Sequence, residues 1–230
     1  MTTSLVLLPG LICDERLWRD VTAGLGSDIE PVVADLTRDD SISAMANRTL
    51  ASAPARFALA GLSMGGYVAF EIMRQAPERV THLALFDTSA RSDDEDRKAT
   101  RRKGIESVRL GRFIGVSKGL LASLVAPQHL RTPVAADVQA MSERVGPEAY
   151  MRQQTAILGR IDSRPTLGTI TVPTLVGVGE SDRMIPPELS REIAEGIAGA
   201  QFVTFADSAH LPTMENPQAV VAAMRDWLAR

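Results

Sequence analysis

The stretch LAGLSMGGYVAF, from Leu59 to Phe70, sets three glycines around one serine where an apolar run meets a helix-like segment. Ser63 is the centre of a Gly-x-Ser-x-Gly pattern formed with Gly61 and Gly65. A sharp turn between a strand and a helix needs small flanking residues, because its backbone enters crowded φ/ψ space. Such a turn exposes the serine hydroxyl at the carboxyl edge of a sheet. The pattern also fits an ordinary packing turn, so the rest of the chain decides whether Ser63 is reactive.

The composition is that of a globular protein. The 230 residues suffice for one large α/β domain with a buried core. A formal net charge of −3 gives no long-range attraction to nucleic acid, and the single cysteine, Cys13, allows no intrachain disulfide. The N-terminal apolar run lacks a basic leader, and no later run has the length of a membrane span. We therefore expect a cytoplasmic protein that binds neither membrane nor nucleic acid.

Short apolar runs alternate with helix-like stretches, which is typical of βα units on a parallel sheet. Six strands and their helices are expected in two blocks, residues 1–90 and 166–230. Residues 91–165 contain no convincing strand and show about four helical stretches instead. The sequence therefore predicts a core of 1–90 and 166–230, with a helical cap, 91–165, between the fourth and fifth strands.

A serine hydroxyl is a weak nucleophile until a base removes its proton, and His210 is the candidate base. It lies in FADSAHLPTMENP, directly after the sixth predicted strand, so its loop emerges at the sheet edge where Ser63 is expected. His82 lies within a predicted strand and His129 within the insertion. Structural roles suit both of them better.

The base needs an acid that orients its ring and stabilises the imidazolium. Asp182 follows the fifth predicted strand, and Asp87 ends the fourth, so both are candidates. The order Ser63, Asp182, His210 is the chain order of a triad built on a strand–turn–helix serine. This order favours Asp182 over Asp87.

The oxyanion of a tetrahedral intermediate needs two N–H donors. One is expected from Met64, directly after the serine, and the other from Leu11, in the loop after the first strand. Aromatic residues are 4% of the chain, so an aliphatic pocket is expected. Cap residues are the candidates for its wall: Phe113, Leu120, Leu121 and Met151.

Three motifs resemble the α/β-hydrolase family, and the resemblance extends over the whole chain. They are GLSMGG at 61–66, GESDRMIPPE at 179–188 and SAHLPTMENP at 208–217. The chain is similar to small bacterial carboxylesterases and to 3-oxoadipate enol-lactonase-like hydrolases. The resemblance implies hydrolysis in a pocket between sheet and cap, with no metal and no organic cofactor.

Two departures from the family pattern stand out. Pro9-Gly10 occupies the place where members usually have His-Gly, which removes a side chain that often orders the oxyanion loop. The first predicted strand matches the third strand of the family, so we expect an α/β-hydrolase fold with an all-parallel, six-stranded sheet and no antiparallel strand.

A serine nucleophile argues against dehalogenase and epoxide hydrolase chemistry, which uses an aspartate in this family. The sequence favours hydrolysis of a small or medium-sized carboxylic ester, with a small-molecule ester or lactone as the binding partner. Lactone, thioester and carbon–carbon bond hydrolysis stay open, as does a cofactor-free haloperoxidase or perhydrolase side activity. A slow, hydrolase-like ligand receptor with a signalling role is the alternative from a different class.

Overall fold

Six parallel strands form the sheet of this protein, seen in a computed structural model that describes residues 2–230. The strands are β1 Thr3–Leu8, β2 Ile29–Val33, β3 Phe57–Leu62, β4 Val80–Phe86, β5 Thr174–Gly179 and β6 Gln201–Phe205. Their spatial order is β2-β1-β3-β4-β5-β6, and every neighbouring pair is parallel. The prediction of a six-stranded, all-parallel sheet is confirmed.

Helices cover both faces of the sheet. They are α1 Arg16–Leu25, α2 Ile42–Ser52, α3 Met64–Gln75, α4 Glu95–Arg109, α5 Lys118–Leu124, α6 Pro133–Leu158, α7 Arg164–Leu167, α8 Pro187–Gly196, α9 Pro212–Glu215 and α10 Pro217–Leu228. Across residues 2–230, no helix has both the length and the apolar character that crossing a membrane requires.

The strand side chains alternate between two apolar clusters, one on each face of the sheet. On β1, Leu5 and Leu7 join the cluster that contains Trp18 of α1 and the side chains of α10. Val6 and Leu8 join the opposite cluster, which contains α2 and α3. A strand buried on both faces reads as a continuous apolar run, which is why these strands were visible in the sequence.

Between β4 and β5 the chain is helical, as the sequence predicts. Helices α4 and α6 lie against each other, and α6 bends at Gly146, whose φ of 76° is not helical, directly before Pro147. The predicted helical insertion between the fourth and fifth strands is therefore present. The boundaries 91 and 165, and the treatment of this segment as a separate cap, stay predictions.

Because all six strands are parallel, the loops after them emerge at one edge of the sheet. Ser63 follows β3, Asp87 follows β4 and Asp182 follows β5 within three residues. His210 lies in the loop after β6, and Leu11 lies in the loop after β1. The fold thus delivers five residues singled out in the sequence to the same edge.

Candidate active site

Ser63 forms the sharp turn between β3 and α3. Its φ of 55° and ψ of −114° are rare for a residue with a side chain. A Cβ on Gly61 would lie 2.5 Å from the Gly65 carbonyl oxygen, and one on Gly65 would overlap the Leu8 carbonyl. The Ser63 N–H donates to the Phe86 oxygen at 2.9 Å, which ties the turn to β4. The glycines are therefore required by close backbone approach at this turn.

Two hydrogen bonds join Ser63, His210 and Asp182. Oγ of Ser63 lies 3.0 Å from Nε2 of His210, and Nδ1 of His210 lies 2.8 Å from Oδ2 of Asp182. The other Asp182 oxygen accepts the N–H groups of Met184 at 2.8 Å and Ile185 at 3.1 Å. The acid is thus fixed in position. With Nδ1 donating to the carboxylate, Nε2 is free to accept the serine proton.

Glu215 of α9 holds the loop that carries His210, and the sequence did not single it out. One of its oxygens accepts the N–H groups of Ala209 and Leu211, both at 3.0 Å, on either side of His210. The other accepts the N–H of Ala126 at 2.6 Å, which attaches the insertion to this loop. Burial raises the pKa of Glu215, against the effect of these three donors. The sequence feature that could have indicated this role is the position of Glu215, five residues after His210.

Asp87, the rival acid, contacts neither nitrogen of His210 within hydrogen-bond distance in the described structure. It is fully buried, with a φ of 47°, and its Oδ1 accepts the Gly179 N–H at 2.8 Å. Its Oδ2 has no hydrogen-bond partner within residues 2–230. Loss of solvation, followed by the charge of Asp182, raises the pKa of Asp87 well above its usual value. The surroundings of Asp87 therefore favour the protonated form of its carboxyl group.

A metal ion does not suit this group of side chains. Within residues 2–230, one group of potential metal ligands has its ligand atoms within 4.8 Å of one another, and it consists of Asp87, Asp182 and His210. The atoms of Asp182 and His210 already accept or donate hydrogen bonds within the chain. The raised pKa of Asp87 works against its ionised form, which is the form that binds a metal.

Leu11 and Met64 supply the two candidate oxyanion donors. Met64 is the first residue of α3 and Leu11 lies in the loop after β1. In the described part of the chain, neither N–H donates a hydrogen bond to a protein acceptor. Gly10 brings this loop against the end of β3, because a Cβ on it would lie 3.6 Å from the Leu62 carbonyl oxygen. Both donors are thus available near Ser63.

A cavity of about 570 Å³ opens onto Ser63 and His210. Among the predicted wall residues, Leu120 lines it, whereas Phe113, Leu121 and Met151 do not. Phe113 packs against the ring of Tyr150, at 5.7 Å between centroids, and it is Tyr150 that reaches the cavity. Leu121 faces the buried apolar cluster instead. The prediction is wrong for these three residues because the sequence shows which residues of a helix are apolar but not which neighbouring element each side chain contacts.

The rest of the cavity lining includes apolar side chains of the insertion and three arginines. The apolar part includes Val116, Leu124, Val138, Met141 and Ile157. The charged lining residues are Arg97, Arg101, Arg183 and Asp96. Arg101 pairs with Asp93, whereas within residues 2–230 Arg97 and Arg183 form no ion pair.

Two known proteins are similar to this chain over most of its length. The pimeloyl-[acyl-carrier protein] methyl ester esterase of Neisseria meningitidis serogroup B is 27% identical over 204 residues, which cover 85% of this chain and 78% of that protein. A thermophilic esterase from Thermogutta terrifontis, solved with malate bound, superposes with a TM-score of 0.90 at 29% identity and covers 100% of this chain and 90% of its own. These relatives support hydrolysis of esters in general.

A third likeness concerns the fold alone. The enol-lactonase from Burkholderia xenovorans LB400 superposes with a TM-score of 0.89 at 24% identity, over 100% of this chain and 92% of that one. The sequence model of the Alpha/beta hydrolase family matches residues 5–223, which is nearly the whole chain. The protein is a hydrolase, and the chain belongs to the alpha/beta hydrolase family.

Proposed function

We propose that the protein is a serine hydrolase that cleaves a carboxylic ester of a small or medium-sized substrate through an acyl-enzyme on Ser63. The observation that carries the proposal is the continuous hydrogen-bonded chain from Ser63 Oγ through His210 to Asp182, with separations of 3.0 and 2.8 Å. Ser63 and His210 line a cavity large enough for a substrate. Acyl transfer requires a nucleophile, a base and an acid that orients the base.

The proposed reaction has two steps. Ser63 attacks the ester carbonyl while Nε2 of His210 takes the serine proton, and the N–H groups of Leu11 and Met64 stabilise the oxyanion. His210 then gives that proton to the leaving alcohol, which breaks the ester bond and leaves the acyl group on Ser63. Water, deprotonated by His210, releases the acid and restores the hydroxyl. Asp182 holds the ring and stabilises the imidazolium in both steps.

The cavity supports a substrate with an apolar body and an anionic group. Much of its lining is apolar. Arg97 is half-buried and donates a hydrogen bond to the Met184 carbonyl oxygen at 3.3 Å, but within residues 2–230 neither Arg97 nor Arg183 forms an ion pair. A guanidinium that is partly shielded from water favours a carboxylate or phosphate partner. The Thermogutta terrifontis esterase, which was solved with malate, provides a parallel for a dicarboxylate ligand in a similar fold.

The test is hydrolysis of p-nitrophenyl butyrate by the wild type and by Ser63→Ala. We expect kcat/KM to fall by more than about 1,000-fold, since loss of a nucleophile removes the acyl-transfer route. Ser52→Ala, an exposed serine of α2, is the matched control and should keep wild-type rates. A phosphonate inhibitor should label the wild type once, at Ser63. Equal rates in wild type and Ser63→Ala would refute the proposal.

A panel of substrates separates the remaining alternatives. It contains neutral esters, monoesters of dicarboxylic acids, lactones and thioesters, each run against Ser63→Ala. We expect the monoesters to have the highest kcat/KM, and Arg97→Met to remove that preference. A higher rate on lactones or thioesters would transfer the assignment to those substrates. Negligible turnover on every substrate, together with a ligand-dependent rise in Tm, would favour the receptor alternative.

A further inference from the structure

The loop after β1 contains a strained residue beside a candidate oxyanion donor. Ile12, directly after Leu11, has a φ of 52°. A β-branched side chain makes this region of φ/ψ space especially unfavourable. Such conformations persist only where the surrounding structure holds them. The contacts of this loop therefore decide where the neighbouring Leu11 N–H lies.

One side chain from the insertion provides such a contact. The N–H of Ile12 donates to Oε1 of Gln153 at 2.9 Å, and Gln153 lies on α6, 141 residues further along the chain. The other end of the same amide donates to the Leu36 carbonyl at 3.1 Å. Gln153 is fully buried. Because both ends of the amide are bonded, its orientation is fixed, and a buried amide with neither bond would cost free energy.

The other hydrogen bonds of residues 9–13 in the described structure stay within the loop. The Cys13 N–H donates to the Gly10 carbonyl at 3.2 Å, and the Cys13 thiol contacts the Leu11 carbonyl at 3.5 Å. Pro9 has no N–H, and neither Pro9 nor Gly10 has a polar side chain. Further along the same loop, Asp14 accepts a hydrogen bond from Nε of Arg144, also on α6, at 2.7 Å. Within residues 9–13, next to Leu11, the side-chain hydrogen bond to the rest of the molecule is the one from Ile12 to Gln153.

We propose that Gln153 is a positioning residue that holds the loop after β1 so that the Leu11 N–H serves the oxyanion. The inference rests on the proposed function, because it assigns a catalytic use to that N–H. Without Gln153, Ile12 relaxes toward negative φ and carries the adjacent peptide away from Ser63. Substrate binding in the apolar cavity does not depend on this N–H. The loss therefore falls on the transition state more than on the ground state.

The first test is steady-state kinetics of Gln153→Met and Gln153→Glu, with active sites counted by phosphonate titration. We expect Gln153→Met to lower kcat about 10- to 100-fold and to change KM less than about threefold. The affinity for a trifluoromethyl ketone, which forms a tetrahedral adduct, should fall by the same factor as kcat. Gln153→Glu should recover at least about a tenth of wild-type kcat, since a protonated buried glutamic acid offers the same acceptor and one donor.

Titrated active sites exclude loss of folded protein as the cause of a lower kcat. If Gln153→Met does not fold, Gln153→Asn replaces it, because the shorter side chain keeps the amide but cannot reach both Ile12 and Leu36. Wild-type kcat per active site in Gln153→Met would overturn the proposal. So would a lower kcat with an unchanged affinity for the ketone.

Hydrogen–deuterium exchange gives a readout that does not need turnover. The peptide covering residues 9–13 should exchange faster in Gln153→Met than in the wild type, while the peptide covering β6 exchanges at the wild-type rate. Unchanged exchange at 9–13 would overturn the inference whatever the enzyme hydrolyses. Failure of the proposed function shows separately, as equal turnover in the wild type and Ser63→Ala.

Discussion

Replacing Asp87 by asparagine should change stability in a way that depends on pH. Desolvation, then the charge of Asp182, raises the pKa of Asp87 in the folded protein well above 3.8, its usual value. Between these two pKa values the folded chain keeps the proton and the unfolded chain has lost it. Since the unfolded state then binds fewer protons, the wild type loses stability as pH rises from about 4. Asparagine does not titrate, so Asp87→Asn lacks this loss.

The magnitude follows from one proton. Each pH unit between those two pKa values costs the wild type up to roughly 1 kcal/mol of unfolding free energy, so Asp87→Asn should gain stability relative to it by about that amount per pH unit. The variant is nearly isosteric. Its Oδ1 can still accept the Gly179 N–H, which Asp87 binds at 2.8 Å, and its amide can donate toward Asp182. The difference should therefore come from titration rather than from lost packing.

Urea unfolding of both proteins at half-unit pH steps measures this difference directly. Asp93→Asn is the contrasting control, since Asp93 is buried too. Burial tends to raise the pKa of Asp93, but hydrogen bonds from Arg101 and Arg160 outweigh it and lower that pKa. The stability that the ionised Asp93 contributes is present above the pKa of this group in the unfolded chain, and it is lost as pH falls through the lower pKa of the folded protein. Asp93→Asn should therefore be most destabilised near neutral pH. Parallel stability curves for Asp87→Asn and wild type would refute the argument that folding raises the pKa of Asp87.

Two further predictions concern the turn and the cysteine. Gly65→Ala should lower the free energy of unfolding in urea by about 1–3 kcal/mol or more, because its Cβ would overlap the Leu8 carbonyl. The control Gly119→Ala, at an open position of α5, should be neutral or stabilising by up to about 1 kcal/mol. Equal effects of the two substitutions would contradict the packing argument. Burial raises the pKa of Cys13 to about 12, so the native protein should not react with a thiol reagent at pH 8, and rapid labelling without unfolding would contradict this.

The strands and the serine turn were predictable because their signals are local. A buried parallel strand is an apolar run, and a strained strand–helix turn needs glycine at fixed offsets, as Gly61 and Gly65 show. Parallel strands bring the loops that follow them to one edge of the sheet, so the sequence predicts Asp182 and His210 near Ser63, where the structure has them. These inferences need only strand order along the chain.

Other features depend on contacts between distant segments. In the sequence Gln153 is an ordinary polar residue of a predicted helix, and the residue that it bonds, Ile12, lies 141 positions earlier in the chain. Glu215 reads as a helix-end carboxylate, although it joins the His210 loop to Ala126. The apolar residues of the insertion could be recognised, but the direction of each side chain could not. The bend at Gly146 and the packing of α4 on α6 set which side chains reach the cavity.

The hydrogen bond between α6 and the loop after β1 has a consequence for building hybrids within this family. A helical insertion looks like a part that can be exchanged to change substrate preference while the sheet keeps its chemistry. Here a backbone amide of the core is satisfied by a side chain of the insertion, Gln153 on Ile12. A graft that omits a glutamine at this position leaves a buried donor of the recipient without an acceptor. Exchange of the insertion therefore has to carry the glutamine and the loop together.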